Sequence, residues 1–268
     1  STLVATASAD CRAGVWVVES GECRCMARGH VAPVVSAVFA PGGATLLTAS
    51  RDATARMWNT DTGGCLHSLL GHRGAVLAAA FSPNGMLVAT ASSDETARLW
   101  EAVGGQCLRV FSSGHVGNIF SAVFSPDGAR LLTASNDGTA RVWCVESGDC
   151  VRTLHGHCGV VWKAVFSPDG TQVLTASSDG TARLWSSDSG GCFGVFGDSD
   201  AGYGAGMLTA VFSPDGAQVL TVSTGGEAKV WLASSGEALC TVGGEAFVRS
   251  AIFAPIRQGR AVGTPAGV

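Results

Sequence analysis

The sequence predicts an all-β protein built from repeats of about 42 residues, each long enough for four strands. Six of the seven tryptophans recur at intervals of 42 to 46 residues: Trp16, Trp58, Trp100, Trp143, Trp185 and Trp231. Phenylalanine recurs in step with them: Phe39, Phe81, Phe124, Phe166, Phe212 and Phe253. A Pro-Asn-Gly or Pro-Asp-Gly turn follows most of these phenylalanines, which favours tight hairpins because proline fixes φ and glycine accepts a positive φ.

Within a repeat, four short runs of strand residues follow one another, separated by turn residues. In one repeat they are Val34–Phe39, Leu46–Ser50, Ala55–Trp58 and Cys65–Leu70. In the next they are Val76–Phe81, Leu87–Ser92, Ala97–Trp100 and Cys107–Phe111. Four antiparallel strands in a period of this length are typical of a β-propeller blade, and no stretch carries a sustained helical period.

The ends of the chain bear on the number of blades. The chain begins within a second strand, Leu3–Ser8, and its last strand, Val248–Ala254, matches a first strand. We therefore expect six blades, closed by pairing of the C-terminal strand with the N-terminal strand set, or seven blades if the chain is a fragment. Residues 1–254 would form a single propeller domain, and residues 255–268 an irregular tail or incomplete strand.

Gly-His pairs precede four of the first strands, at Gly29-His30, Gly71-His72, Gly114-His115 and Gly156-His157. Together with the recurring tryptophan, they make the sequence resemble the WD-repeat family of β-propeller proteins over roughly residues 1–254. The aspartate expected after each tryptophan is replaced: Val17, Asn59, Glu101, Cys144, Ser186 and Leu232. The resemblance implies a non-enzymatic scaffold or adaptor that binds protein or peptide partners within a multi-subunit complex, inside the cell and in the cytoplasm.

Four repeats share a histidine, serine, aspartate and tryptophan at constant spacing. The four sets are His30, Ser50, Asp52, Trp58; His72, Ser92, Asp94, Trp100; His115, Ser135, Asp137, Trp143; and His157, Ser177, Asp179, Trp185. Serine, histidine and aspartate invite comparison with a catalytic triad, but four copies indicate a framework. The resemblance implies a hydrogen-bond chain within each blade that ends at the tryptophan indole. The unit with Trp231 lacks the histidine and aspartate, so we expect that blade and the closing blade to be looser.

The first strand of each blade should line the central channel. Three residues before each phenylalanine the side chain is small, except at Lys163. One residue earlier stand Val35, Leu77, Phe120, Trp162, Leu208 and Arg249, and the resemblance places this position near the channel entrance, where partner peptides dock. Aromatic residues and arginine are common interface hot spots, and Arg51 lies on a turn of variable sequence. The partner-binding hypothesis comprises Phe120, Trp162, Lys163, Arg51, Leu77, Leu208 and Arg249.

Two alternatives remain open for these residues. The apolar ones could belong to the core, because an inner strand is apolar on both faces. Lys163 could be a snorkelling side chain at the rim. For the whole chain, the alternatives are a purely structural subunit or domain of a large assembly and, less favoured, a propeller enzyme with a site in the channel.

Composition excludes other classes of function. The net charge of −4 and the even spacing of arginines around the repeats argue against nucleic-acid binding. No apolar run reaches the roughly 18 residues of a membrane helix, so no membrane insertion is expected. Five of the ten cysteines repeat one position, which predicts packing residues within the blades: Cys23, Cys65, Cys107, Cys150 and Cys192. We expect no metal, no cofactor and no small-molecule substrate, and unpaired thiols suit a reducing, intracellular compartment.

Overall fold

The computed structural model describes residues 2–112, 114–197, 206–242 and 251–253, and these contain 23 β-strands in six sheets. Sheet 1 contains β1 (Leu3–Ala7), β2 (Arg12–Val17) and β3 (Cys23–Arg28). Sheet 2 contains β4 (Val34–Phe39), β5 (Thr45–Ser50), β6 (Ala55–Asn59) and β7 (Cys65–Leu69). Sheet 3 contains β8 (Val76–Phe81), β9 (Leu87–Ser92), β10 (Ala97–Glu101) and β11 (Cys107–Phe111).

Sheets 4 to 6 repeat the same plan. Sheet 4 contains β12 (Ile119–Phe124), β13 (Arg130–Ser135), β14 (Ala140–Cys144) and β15 (Cys150–Leu154). Sheet 5 contains β16 (Val161–Phe166), β17 (Gln172–Ser177), β18 (Ala182–Ser186) and β19 (Cys192–Phe196). Sheet 6 contains β20 (Met207–Phe212), β21 (Gln218–Ser223), β22 (Ala228–Leu232) and β23 (Ala238–Val242). The all-β propeller architecture predicted from the repeat is confirmed.

The core lies between successive sheets. Leu132 and Ala134 of sheet 4, for example, share an apolar cluster with Val161 and Trp185 of sheet 5. Trp58, Trp100, Trp143 and Trp185 are each at most 2% exposed. The period of the tryptophans therefore places one large buried side chain at each junction between neighbouring sheets, where its apolar area contributes most to stability.

The Pro-Asp-Gly turns end the first strands and contact one another from sheet to sheet. The glycines of these turns have φ near +70°, for example Gly128 at +73° and Gly170 at +74°. A Cβ atom placed on Gly128 would lie 3.6 Å from the proline ring of Pro83, and one on Gly170 would lie 3.4 Å from Pro126. Each turn thus packs on the proline of the preceding turn, and together they define one end of the propeller.

A β-bulge interrupts the first strand of sheets 2 to 6. The pairing with the second strand skips one residue after the strand begins, and the skipped residues are Val35, Leu77, Phe120, Trp162 and Leu208. A bulge residue is released from the ladder, so its side chain can be aimed differently from its neighbours. These bulges lie at the end of the propeller opposite the Pro-Asp-Gly turns.

The prediction that the repeated cysteines pack within the blades is wrong. Cys23, Cys65, Cys107, Cys150 and Cys192 do begin the fourth strands, but all five are exposed. The fourth strand is the outer edge of each sheet, and another bulge lies where it faces the buried tryptophan, as between Met57 and Trp58. Solvent therefore covers the thiols, and they contribute little to the core.

Closure of the propeller cannot be described from the C-terminal strand, because residues 243–250 and 254–268 lie outside the described part of the chain. Ala251 and Phe253 pack against the core of sheet 6, next to Leu220 and Val222. The expected pairing with the N-terminal strand set and the predicted tail at 255–268 stay predictions. The part of the chain described here has no helix long and apolar enough to cross a membrane.

Candidate functional site

Sheets 2 to 5 each contain a buried chain of hydrogen bonds, which sheet 2 illustrates. His30 Nδ1 lies 2.7 Å from Asp52 Oδ2, and His30 Nε2 lies 2.8 Å from Thr48 Oγ1. Trp58 Nε1 donates to the same Thr48 Oγ1 at 2.8 Å. Because the carboxylate only accepts, His30 donates from Nδ1 to Asp52, and its Nε2 accepts from the threonine hydroxyl. Indole, hydroxyl, imidazole and carboxylate thus form one fully satisfied series.

The same series recurs in the next three sheets. The Nδ1–Oδ2 distances are 2.9 Å for His72 and Asp94, 2.8 Å for His115 and Asp137, and 2.7 Å for His157 and Asp179. The threonine that joins histidine to tryptophan is Thr90, Thr133 or Thr175. Each aspartate also accepts from the backbone N–H after the histidine, which ties the loop before the first strand to the turn between the second and third strands.

Serine is not the link to tryptophan, and the threonine was missed by sequence reasoning. Ser50 Oγ donates to the carbonyl of Ala32 and accepts from the backbone N–H of Asp52 instead. The signal was present, because a threonine stands ten residues before each repeat tryptophan: Thr6, Thr48, Thr90, Thr133, Thr175 and Thr221. The threonine–indole bond also forms in sheets 1 and 6, which lack the histidine–aspartate pair.

Electrostatics agree with a structural role for these groups. Burial lowers the pKa of His30, His72, His115 and His157 below its ordinary value of 6.5, more than the neighbouring aspartate raises it. Burial would raise the pKa of Asp52, but hydrogen bonds from Thr54, His30 and the backbone outweigh that effect and hold it at about 2. Neutral imidazole beside ionised carboxylate is the state that the hydrogen-bond series requires. Among the described residues, His, Cys, Asp and Glu form no group of three or more suited to a metal ion.

The bulges bring two of the predicted partner-binding residues together. The rings of Phe120 in sheet 4 and Trp162 in sheet 5 lie 4.7 Å apart, inclined at 53°. Trp162 is 38% exposed, unlike the repeat tryptophans. Leu77 and Leu208 occupy the equivalent bulges of sheets 3 and 6 and are half-buried. An apolar surface with an aromatic pair, of which Trp162 is exposed and Phe120 half-buried, therefore follows the bulged ends of the first strands.

Arg51 lies on the same rim. Its backbone N–H donates to the carbonyl of Pro33, directly before the first strand of sheet 2, so the turn sits beside the bulge at Val35. The Arg51 side chain is exposed. Arg249 lies outside the described residues, so the structure does not place it.

Lys163 follows Trp162 and stands where the other first strands carry Ser36, Ala78, Ser121 and Thr209. It pairs with Ala176, so its side chain lies on the face of sheet 5 that is turned toward sheet 6. Burial lowers the pKa of the Lys163 amine. Within the described part of the chain, no carboxylate lies within ion-pair distance of that amine.

Comparison with known proteins identifies the family. The family model described as "WD domain, G-beta repeat" matches residues 21–59, 63–101, 105–144 and 148–186, which together make up more than half of the chain. The chain therefore belongs to the WD40-repeat family. Each matched unit begins near an outer strand and ends at the last residue of the third strand of the next sheet. No curated protein matches the chain.

Membership supports a general kind of role. WD40-repeat propellers serve generally as protein-interaction domains without catalytic activity of their own. The matched units end at Ser186, so sheet 6, without the histidine–aspartate pair, lies beyond them.

Proposed function

We propose that this protein is a non-enzymatic scaffold or adaptor whose partner binds at the channel entrance. The site comprises Phe120, Trp162, Lys163, Arg51, Leu77 and Leu208, together with Arg249 outside the described residues. The propeller would be a single domain over residues 1–254, acting in the cytoplasm as part of a multi-subunit complex. The exposed Trp162, packed on Phe120 of the adjacent bulge, carries the proposal.

The aromatic pair supports binding in two ways. A tryptophan with 38% exposure keeps apolar area in water that a partner can bury. Phe120 packs against it across two sheets, so the ring is held in place before a partner arrives, which reduces the ordering cost of association. Tryptophan is one of the residue types most enriched among interface hot spots.

Lys163 supports a particular chemistry for the partner. A partly buried amine with no carboxylate of the described residues within ion-pair distance has a desolvation cost that a partner's carboxylate would offset. Arg51 adds a second cation on the same rim. The proposed partner therefore presents an aspartate, a glutamate or a C-terminal carboxylate next to an apolar side chain.

The test is crosslinking mass spectrometry on the tagged full-length chain in its native extract, with wild type and variants compared quantitatively. Trp162→Ala removes the aromatic contact, and Lys163→Met keeps the stem while removing the charge. Phe193→Ala is the matched control, because Phe193 is 57% exposed on the outer strand of the same sheet. We expect one partner set to be lost in both site variants and retained in the control. Retention by both site variants would contradict the proposal.

A second candidate is a purely structural subunit whose outer strands bind neighbouring proteins. It is favoured by exposed apolar side chains directly after the repeated cysteines: Leu66 at 47%, Leu108 at 52% and Phe193 at 57%. Under this alternative Phe193→Ala would lose the partner set while Trp162→Ala and Lys163→Met retained it. The same experiment therefore separates the two functions.

A further inference from the structure

A cavity of about 450 Å³ lies at the end of the propeller opposite the bulges. Its walls come from the ends of successive first strands and the turns after them. Phe124, Phe166, Phe212 and Phe253 each contribute a ring, and prolines of the turns complete the wall. This volume falls within the range of sites that hold a ligand side chain or small segment.

Three carboxylates stand on the turns that border this cavity. Asp127, Asp169 and Asp215 each follow a proline of the wall, and all three are exposed. In each turn the aspartate Oδ1 accepts from the serine hydroxyl two residues earlier and from a backbone N–H two residues later. No cation of the described residues forms an ion pair with any of the three. The cavity is thus apolar inside, and three of the turns that border it carry an exposed carboxylate.

The last described residues of the chain lie at this cavity. Ile252 and Phe253 line it, and they are the last residues that the structure describes. The sequence continues Ala254-Pro255-Ile256-Arg257, with Arg260 three residues later and no acidic residue among positions 254–268. The next segment is therefore basic, contains an apolar side chain, and is tethered at the cavity wall.

The repeat's hairpin chemistry is missing from this segment. In the other units proline is followed by Asp-Gly, Asn-Gly or Gly-Gly, and the final glycine has φ near +70°, as at Gly170 and Gly216. After Pro255 the corresponding residues are Ile256 and Arg257. A residue with a side chain is strained at the positive φ of that glycine position, so the sequence after Pro255 disfavours the same tight hairpin turn.

We propose that residues 254–262 bind across this cavity, with Ile256 between the phenylalanine rings and Arg257 and Arg260 facing Asp127, Asp169 and Asp215. Charge complementarity and the tether at Phe253 both favour this occupant, since a tethered segment has a high effective concentration at the site. The cavity is then a binding site for the chain's own segment, separate from the partner site at the bulges.

The test is limited trypsin digestion of the full chain, followed by intact-mass measurement. The peptide bonds after Arg257 and Arg260 report directly on the segment, because trypsin cleaves there only when the segment is released. Asp127→Asn, Asp169→Asn and Asp215→Asn are combined in one variant. The turn after β8 in sheet 3 carries Asn84 at this position, and its Oδ1 accepts from the Ser82 hydroxyl at 2.7 Å, so asparagine preserves the turn.

We expect slow cleavage at both bonds in wild type and about a tenfold faster rate in the triple variant. A tenfold change corresponds to the combined free energy of several surface charge interactions. Ile256→Ser is expected to accelerate cleavage as well. The control variant combines Glu101→Gln, Glu146→Gln and Asp149→Asn, which removes the same charge from positions outside the Pro-Asp-Gly turns and should change the rate less than about twofold.

Two outcomes would overturn the proposal. Equal cleavage rates in wild type and the triple aspartate variant would show that the rim carboxylates do not hold the segment. Protection that increases with protein concentration would instead assign the cavity to a segment of a second copy.

Discussion

The threonine of the buried hydrogen-bond series offers a sharp test of what holds a blade together. Thr133 is fully buried, accepts from Trp143 Nε1 at 2.9 Å and lies 2.8 Å from His115 Nε2. Thr133→Val keeps the shape of the side chain and removes the hydroxyl. Two buried groups, the indole N–H and the imidazole nitrogen, then lose their partner.

The magnitude follows from the number of groups left unsatisfied. Each costs about 1–3 kcal/mol, so Thr133→Val should lower the free energy of unfolding by roughly 2–6 kcal/mol. Thr221→Val is the matched control, because Thr221 accepts from Trp231 at 2.8 Å but has no histidine to bond. That variant leaves only one buried group without a hydrogen-bond partner, so it should lower the free energy of unfolding by about 1–3 kcal/mol.

Urea unfolding measured by tryptophan fluorescence compares the two variants, read as a change in midpoint at constant m value. The difference between them isolates the imidazole contribution. If Thr133→Val cost no more than Thr221→Val, the histidine would not depend on the hydroxyl, and the argument from unsatisfied buried groups would be wrong.

Three further predictions concern the same framework. The histidine pKa values are lowered in the folded protein, so the unfolded chain binds more protons as the pH falls below 6.5, and stability should decrease below that pH. Asp52, Asp94 and Asp179 have a pKa of about 2 in the folded protein against an ordinary value of 3.8, so they add a further loss of stability below pH 3.8. Urea midpoints that stay constant between pH 7 and pH 5 would contradict this. Trp100→Ala should cost about 3–5 kcal/mol and Trp162→Ala about 1 kcal/mol or less, measured by urea unfolding; equal losses would make Trp162 a core residue. Hydrogen exchange should be faster in sheet 6, where Trp231 is 7% exposed, than in sheets 2 to 5, and uniform protection would refute a looser blade.

The sequence was sufficient for the fold because large residues recur at fixed intervals. Trp58 and its equivalents could only be buried repeatedly if each repeat packed on the next one. Thr48 escaped notice because threonine is common in strands, and its role depends on a hydroxyl reaching two rings at once. No single residue type marks that role.

The exposure of a side chain was harder to predict than its position along a strand. The spacing of Cys65 from Trp58 correctly placed it at the start of a fourth strand, but a bulge and the outer edge decide its exposure. The bulge at Trp162 likewise has no sequence signal, since it arises from how two strands pair. Sequence named Phe120 and Trp162 as candidates, while only the structure shows that their rings meet.

The offset between the matched sequence units and the sheets has a consequence for cooperativity. A unit such as residues 63–101 supplies the outer strand β7 of one sheet and the three inner strands β8, β9 and β10 of the next. Melting one unit therefore disrupts two sheets at once. Units that follow one another in the chain are thus expected to unfold together, because they contribute strands to the same sheet. Gain or loss of a repeat during evolution would have to involve four consecutive strands, because a shorter insertion or deletion leaves a sheet with the wrong number of strands.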